Sequence, residues 1–138
     1  MRLEGSLFTI IEMHDQVGHD GGVASASVVI AGPDRQSPDE AVYRIRLNPE
    51  HTIYKAHFPE LPITPGVILV RIGVELLGKM LGRKVRLVGA PNIKFTSPVY
   101  PGEGKELDYI IGVKDSGTAT IVVKDDETIY SKQTLRYE

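Results

Sequence analysis

"TPGVILVRIGVELLGKMLG", residues 64–82, decides the fold. Thr64 offers a hydroxyl that can accept a helix-start amide hydrogen, and Pro65 suits the first helical position because its missing N–H would be unpaired there anyway. From Pro65 to about Leu81 apolar residues such as Val67, Ile68, Val70, Ile72, Leu76 and Met80 point in almost every direction, so the spacing predicts a helix buried nearly all round. Its one charged stripe is Arg71, Glu75 and Lys79, at i, i+4 and i+8, and Arg71 with Glu75 reads as an ordinary helix-face ion pair. Gly82 ends the helix, with Arg83 and Lys84 beside its negative end.

Upstream, Phe58, Leu61 and Thr64 each precede a proline, which disfavours their α region, so 58–64 is expected to run extended into the helix. "SLFTIIEM" (6–13), "VASASVVIA" (23–31) and "AVYRIRLN" (41–48) read as strands, the last with Tyr43, Ile45 and Leu47 alternating against Arg44 and Arg46. Turn-formers, "HDQVGHDGG" and "GPDRQSPDE", flank the second. Downstream come "KVRLVG", "NIKFTSPV", "KELDYIIGV", "TATIVVK" and "TIYSKQTLRY", with "KDSG" and "KDDE" short enough for hairpins. One buried helix among strands implies an α+β protein, an antiparallel β-sheet wrapped around one long central helix, with 1–138 as a single domain.

With no cysteine among 138 residues, neither a disulfide framework nor a thiolate site is available. A net charge of −2 provides no basic face for nucleic acid. The opening "MRLEGSLFTIIEMHD" has too short and too acidic an apolar run for a signal segment, and no later stretch is long enough to span a bilayer, so a cytoplasmic, membrane-free protein is expected. "HDQVGHD" (14–20) gathers two histidines and two aspartates in a predicted turn without a third distant ligand, and no metal is expected. Taken alone, His57 beside prolines reads as a surface or capping residue.

"AHFPELPITPGV" (56–67) and "FTSPVYPGE" (95–103) together resemble a known family, the hot-dog-fold 3-hydroxyacyl-thioester dehydratases of fatty-acid synthesis. The resemblance covers most of the chain from Leu47 onward, whereas "AGPDRQSPDEA" (31–41) has no counterpart and looks like an extended hairpin. It implies dehydration of a 3-hydroxyacyl thioester carried by acyl carrier protein or coenzyme A, without a cofactor. His57 would be the base, its imidazole titrating near operating pH. The amides of Gly66 and Val67, at the positive end of the helix, would hold the thioester oxygen as charge develops, and apolar helix and sheet positions would line an acyl groove.

The family's acid, a Glu or Asp fourteen residues after the histidine, is here Arg71, and a guanidinium has no acceptor and holds its protons too tightly to serve as a general acid. Glu75 lies one turn further, displaced about 6 Å along the axis and about 40° around it. Glu60 is a second available carboxylate. On this reading His57 and Glu75 carry the chemistry and Gly66, Val67 and Arg71 meet the substrate. The edge strand and incompletely covered helix imply a homodimer or higher homo-oligomer. Lys79, Arg83, Lys84 and Arg86 read first as cations answering the helix dipole and, by the resemblance, as a docking patch for acyl carrier protein. Two alternatives stand beside the dehydratase: an acyl thioesterase using Glu60 or Glu75, and an acyl-thioester binder that has lost its acid.

Overall fold

A computed structural model describes residues 26–56 and 63–138. The elements are β1 (Ser27–Ser37), β2 (Glu40–Leu47), α1 (Thr52–Ala56), α2 (Gly66–Leu81), β3 (Leu87–Phe95), β4 (Glu106–Asp115), β5 (Thr118–Lys124) and β6 (Ile129–Tyr137). The six strands form one antiparallel sheet in the order β1-β2-β4-β5-β6-β3. The strand expected over 6–13 and the start of that over 23–31 lie outside the described residues.

Alternation decides which face of the sheet meets the helix. Tyr43, Ile45 and Leu47 on β2, Leu107, Tyr109 and Ile111 on β4, and Ile121 and Val123 on β5 are all buried, while Arg44 and Arg46 point to water and pair across the ladder with Asp108 and Glu106. Against that inner face lie Ile68, Ile72, Leu76 and Leu77 of α2, each at most 1% exposed. The Tyr109 hydroxyl donates to the Leu69 carbonyl at 2.8 Å, fixing the helix on the sheet by a buried polar contact as well as by apolar area. Burial holds that phenol well above its ordinary pKa, so it remains a donor. At Gly73 an added Cβ would stand 2.7 Å from Ile121 Cδ1, so this glycine lets helix and sheet approach.

Several expectations change in detail. The helix is capped by Pro65 and not by Thr64: Pro65 takes φ −59° and ψ 144°, and its carbonyl accepts from Ile68 and Leu69 at 3.0 and 3.3 Å. The Thr64 hydroxyl is withdrawn from capping by a hydrogen bond with Tyr54. At the other end Gly82 is left-handed (φ 72°), and its amide and that of Arg83 close on Lys79 and Gly78 as expected.

β1 runs through "GPDRQS", which composition assigns to a turn. Pairing with β2, with register shifts that absorb the irregular residues, makes 27–47 the long hairpin expected of "AGPDRQSPDEA". "KVRLVG" and "NIKFTSPV" are one strand, β3, interrupted by nothing more than Pro91. Proline is tolerated there because β3 is at the end of the sheet, and the ladder to β6 shifts register between Gly89 and Asn92. α1, which the apolar pattern does not announce, starts where His51 Nδ1 accepts from the Ile53 amide at 3.1 Å.

The charged stripe is also partly withdrawn from water. Lys79 is exposed, but Arg71 is only 4% exposed, covered where the spacing placed it on a wet face. Its ion pair with Glu75 is what makes that burial tolerable.

Candidate active site

The site is built where α2 begins. Thr64, 3% exposed, donates its amide to the Val99 carbonyl at 2.7 Å and shares a 2.9 Å hydrogen bond between its hydroxyl and that of Tyr54. Tyr54 is itself buried, which pushes its pKa up and keeps the phenol protonated. The two segments 56–67 and 95–103, separate in sequence, therefore meet through Thr64 and Val99. They meet again at Gly66, where an added Cβ would lie 2.5–3.0 Å from three atoms of the Phe95 ring.

Since Pro65 O receives Ile68 and Leu69, the amides of Gly66 and Val67 have no backbone acceptor among the described residues. Two donors at the positive end of a sixteen-residue helix form a place for an oxygen gaining negative charge. No Cβ at Gly66 obstructs them, and Phe95, though 49% exposed, stands against this point.

Arg71 lies five residues along the helix, about 7.5 Å from Gly66. Its Nη2 donates to Glu75 Oε1 at 2.5 Å, with the side chains 5% and 31% exposed. The i, i+4 pair read from the sequence is thus present. In that bond Glu75 Oε1 is the acceptor and the guanidinium the donor.

His57 and Glu60 lie outside the described residues, as does the histidine-rich stretch 14–20. Among the described residues no group of three His, Asp or Glu side chains could hold a metal ion. The basic group near the end of α2 is partly engaged: Arg86 is paired with Glu138, and Arg83 lies 5.9 Å over the Tyr137 ring.

Sequence reasoning passed over Tyr54 and gave Phe95 no role at the site. The first is a residue of a short helix without periodicity. The second was visible only as the opening letter of "FTSPV"; its contact with Gly66 depends on how β3 lies beside α2.

A profile of ApeI-like proteins, described as ApeI dehydratase, matches residues 33–133. The chain belongs to the ApeI-like dehydratase family. Over 76 residues it is 28% identical to a 3-hydroxyacyl-(acyl-carrier-protein) dehydratase, FabZ, of Oleidesulfovibrio alaskensis; the match covers 49% of this chain and 48% of that protein, so the chain spans about half the length of this curated relative. Among solved structures it is similar to the dehydratase heterocomplex ApeI:P from Xenorhabdus doucetiae, with a TM-score of 0.69 and 21% identity over 80% of this chain and 96% of that one. Thioesterase superfamily member 2 from Mus musculus has a TM-score of 0.60 at 11% identity, covering 99% and 98%. These likenesses show the fold, a hot-dog α+β fold, as expected from the resemblance.

Proposed function

We propose that the protein dehydrates 3-hydroxyacyl thioesters to trans-2-enoyl thioesters in fatty-acid or related lipid synthesis, with acyl carrier protein or coenzyme A as the carrier. The observation that carries this reading is the pair of amides at Gly66 and Val67 that have no backbone acceptor among the described residues, in a chain of the ApeI-like dehydratase family. His57 takes the proton from the carbon beside the thioester carbonyl. The Gly66 and Val67 amides hold the carbonyl oxygen as that electron pair moves onto it. When the pair returns, the C3–O bond breaks, the double bond forms, and the leaving hydroxyl picks up a proton to depart as water. Glu75, having taken up a proton from solvent beforehand, supplies that proton, and His57 afterwards releases its own to solvent so that both groups are reset; Arg71 is the buried cation that positions Glu75.

The same reading has a second copy of the chain completing the assembly along the β3 edge. The exposed Lys79 and Lys84 lie near the acidic carrier protein, and no nucleic acid takes part. A cytoplasmic setting belongs to it too; no helix among the described residues is long and apolar enough to cross a membrane.

The test is to incubate the purified protein with a 3-hydroxyacyl carrier protein and follow the products by mass spectrometry. Loss of water supports the dehydratase, and His57→Ala abolishes it. Release of free acid would mean a thioesterase, and bound but unchanged thioester would mean a binder.

A further inference from the structure

Under the middle of α2 the inner face of the sheet carries two polar side chains among apolar ones. Ser131 and Gln133 on β6 are 0% and 3% exposed. Gln133 Nε2 donates to Ser131 Oγ at 3.1 Å, whereas Gln133 Oε1 has no hydrogen-bond partner among the described residues. Buried amide oxygens are nearly always matched with a donor, so one without any asks for water or a ligand.

The surroundings favour a ligand. Phe95 faces Ser131 and Ile93 faces Gln133 across the β3–β6 ladder, so all four side chains share the inner face. Above them the helix presents two glycines: a Cβ on Gly66 would meet the Phe95 ring, and one on Gly73 would lie 3.7 Å from Gln133 Oε1. Residues seven apart lie on one helix face, here about 10 Å apart along the axis. Ile93 is part-buried and Phe95 half-exposed, so the strip of side chains that begins beside the helix-start amides reaches the surface at Phe95 and ends inside at an oxygen with no partner among the described residues.

We propose that this strip receives the acyl chain and that Gln133 sets its specificity, by accepting a hydrogen bond from a hydroxyl carried on the chain away from the thioester. The proposal rests on the dehydratase reading for the position of the thioester. A hydroxyl satisfies Oε1. A plain hydrocarbon chain shuts it away from any donor, and sites that hydrogen-bond a substrate group discriminate strongly against analogues lacking it.

The probes are two unreactive acyl-pantetheine thioethers of equal length, one ending in a methyl and one in a hydroxyl group, measured by calorimetry against the full chain. Dehydration of the two matching 3-hydroxyacyl thioesters is followed alongside. Gln133→Met is expected to weaken the hydroxyl-ended probe about tenfold and leave the methyl-ended one unchanged or tighter. Equal weakening of both makes Gln133 a structural or water-binding residue and overturns the proposal. Wild type alone provides a control independent of the variant's folding: a preference for the methyl-ended probe beyond about tenfold also overturns it. Binding with the expected preference but no dehydration sinks the dehydratase reading and leaves the specificity assignment standing. Failure to bind either probe overturns both.

Discussion

The Phe95 ring occupies the place where a side chain on Gly66 would begin: an added Cβ would stand 2.5 Å from Cζ and 2.7 Å from Cε2. The ring tip is half-exposed and can swing, so Gly66→Ala is expected to change stability by no more than about 1 kcal/mol, alanine's better helix propensity offsetting part of the cost. Turnover of a 3-hydroxyacyl thioester is expected to fall about tenfold, since both ring and methyl crowd the helix-start amides. Adding Phe95→Ala should restore part of that loss, and a double-mutant cycle with zero coupling would disprove the contact.

Glu75→Gln removes the carboxylate from a guanidinium that is 5% exposed. Because Glu75 itself is partly wet, the expected loss is about 1–3 kcal/mol in urea unfolding, below that of a fully buried pair. Arg71→Met, which removes the charge and keeps the volume, should cost less. Turnover is expected to follow the same order more steeply: Glu75→Gln abolishes dehydration and Arg71→Met retains part of it. Arg71→Glu probes the position from the other side, since a gain in turnover would put the acid at 71.

Gly73→Ala drives a methyl to 2.7 Å from Ile121 Cδ1, in a core where Ile121 is 0% exposed and has little room to turn. The expected destabilisation is about 1–3 kcal/mol by denaturant titration. Ile121→Val deletes the offending methyl, so the double variant should recover most of the loss.

Asp125 accepts from Lys105 Nζ at 2.6 Å, from the Tyr130 hydroxyl at 2.5 Å and from the Glu127 and Thr128 amides. The Lys105 bond first, then those of Tyr130 and the Glu127 amide, hold its carboxyl well below the usual carboxylate range. The resulting stability is present above the unfolded carboxyl's pKa of about 3.9 and drains away as pH falls toward the folded value. Asp125→Asn should therefore be less stable than wild type at neutral pH, with the gap narrowing in acid; a gap independent of pH would contradict the linkage.

What sequence could and could not reveal follows from which forces are local. α2 was legible from end to end because an apolar surface all round has one outcome, burial, and because Gly82 stops it by backbone conformation alone. The β4–β5 and β5–β6 hairpins were legible from their short polar links. Thr64 was misread because its hydroxyl is claimed by Tyr54, a partner that only folding brings near. Pro91 and the residues after Gly32 look like breaks until position at a sheet margin and a shifted register make them harmless. Arg71 looked wet because periodicity counts charges and cannot see them neutralise one another. At the site, the motifs named Gly66 and Val67; the contact of Phe95 with Gly66 and the unmatched oxygen of Gln133 depend on cross-element packing that no spacing encodes.

The hydrogen bond between Tyr54 and Thr64 spans ten residues, and His57 lies between them in sequence. Chain pinned on both sides can change between its pins without disturbing what the pins hold, because lengthening a closed loop costs little. The helix-start amides answer instead to Thr64, Val99 and Phe95. On the proposed reading, substitutions between Tyr54 and Thr64 therefore leave in place the amides that receive the oxygen.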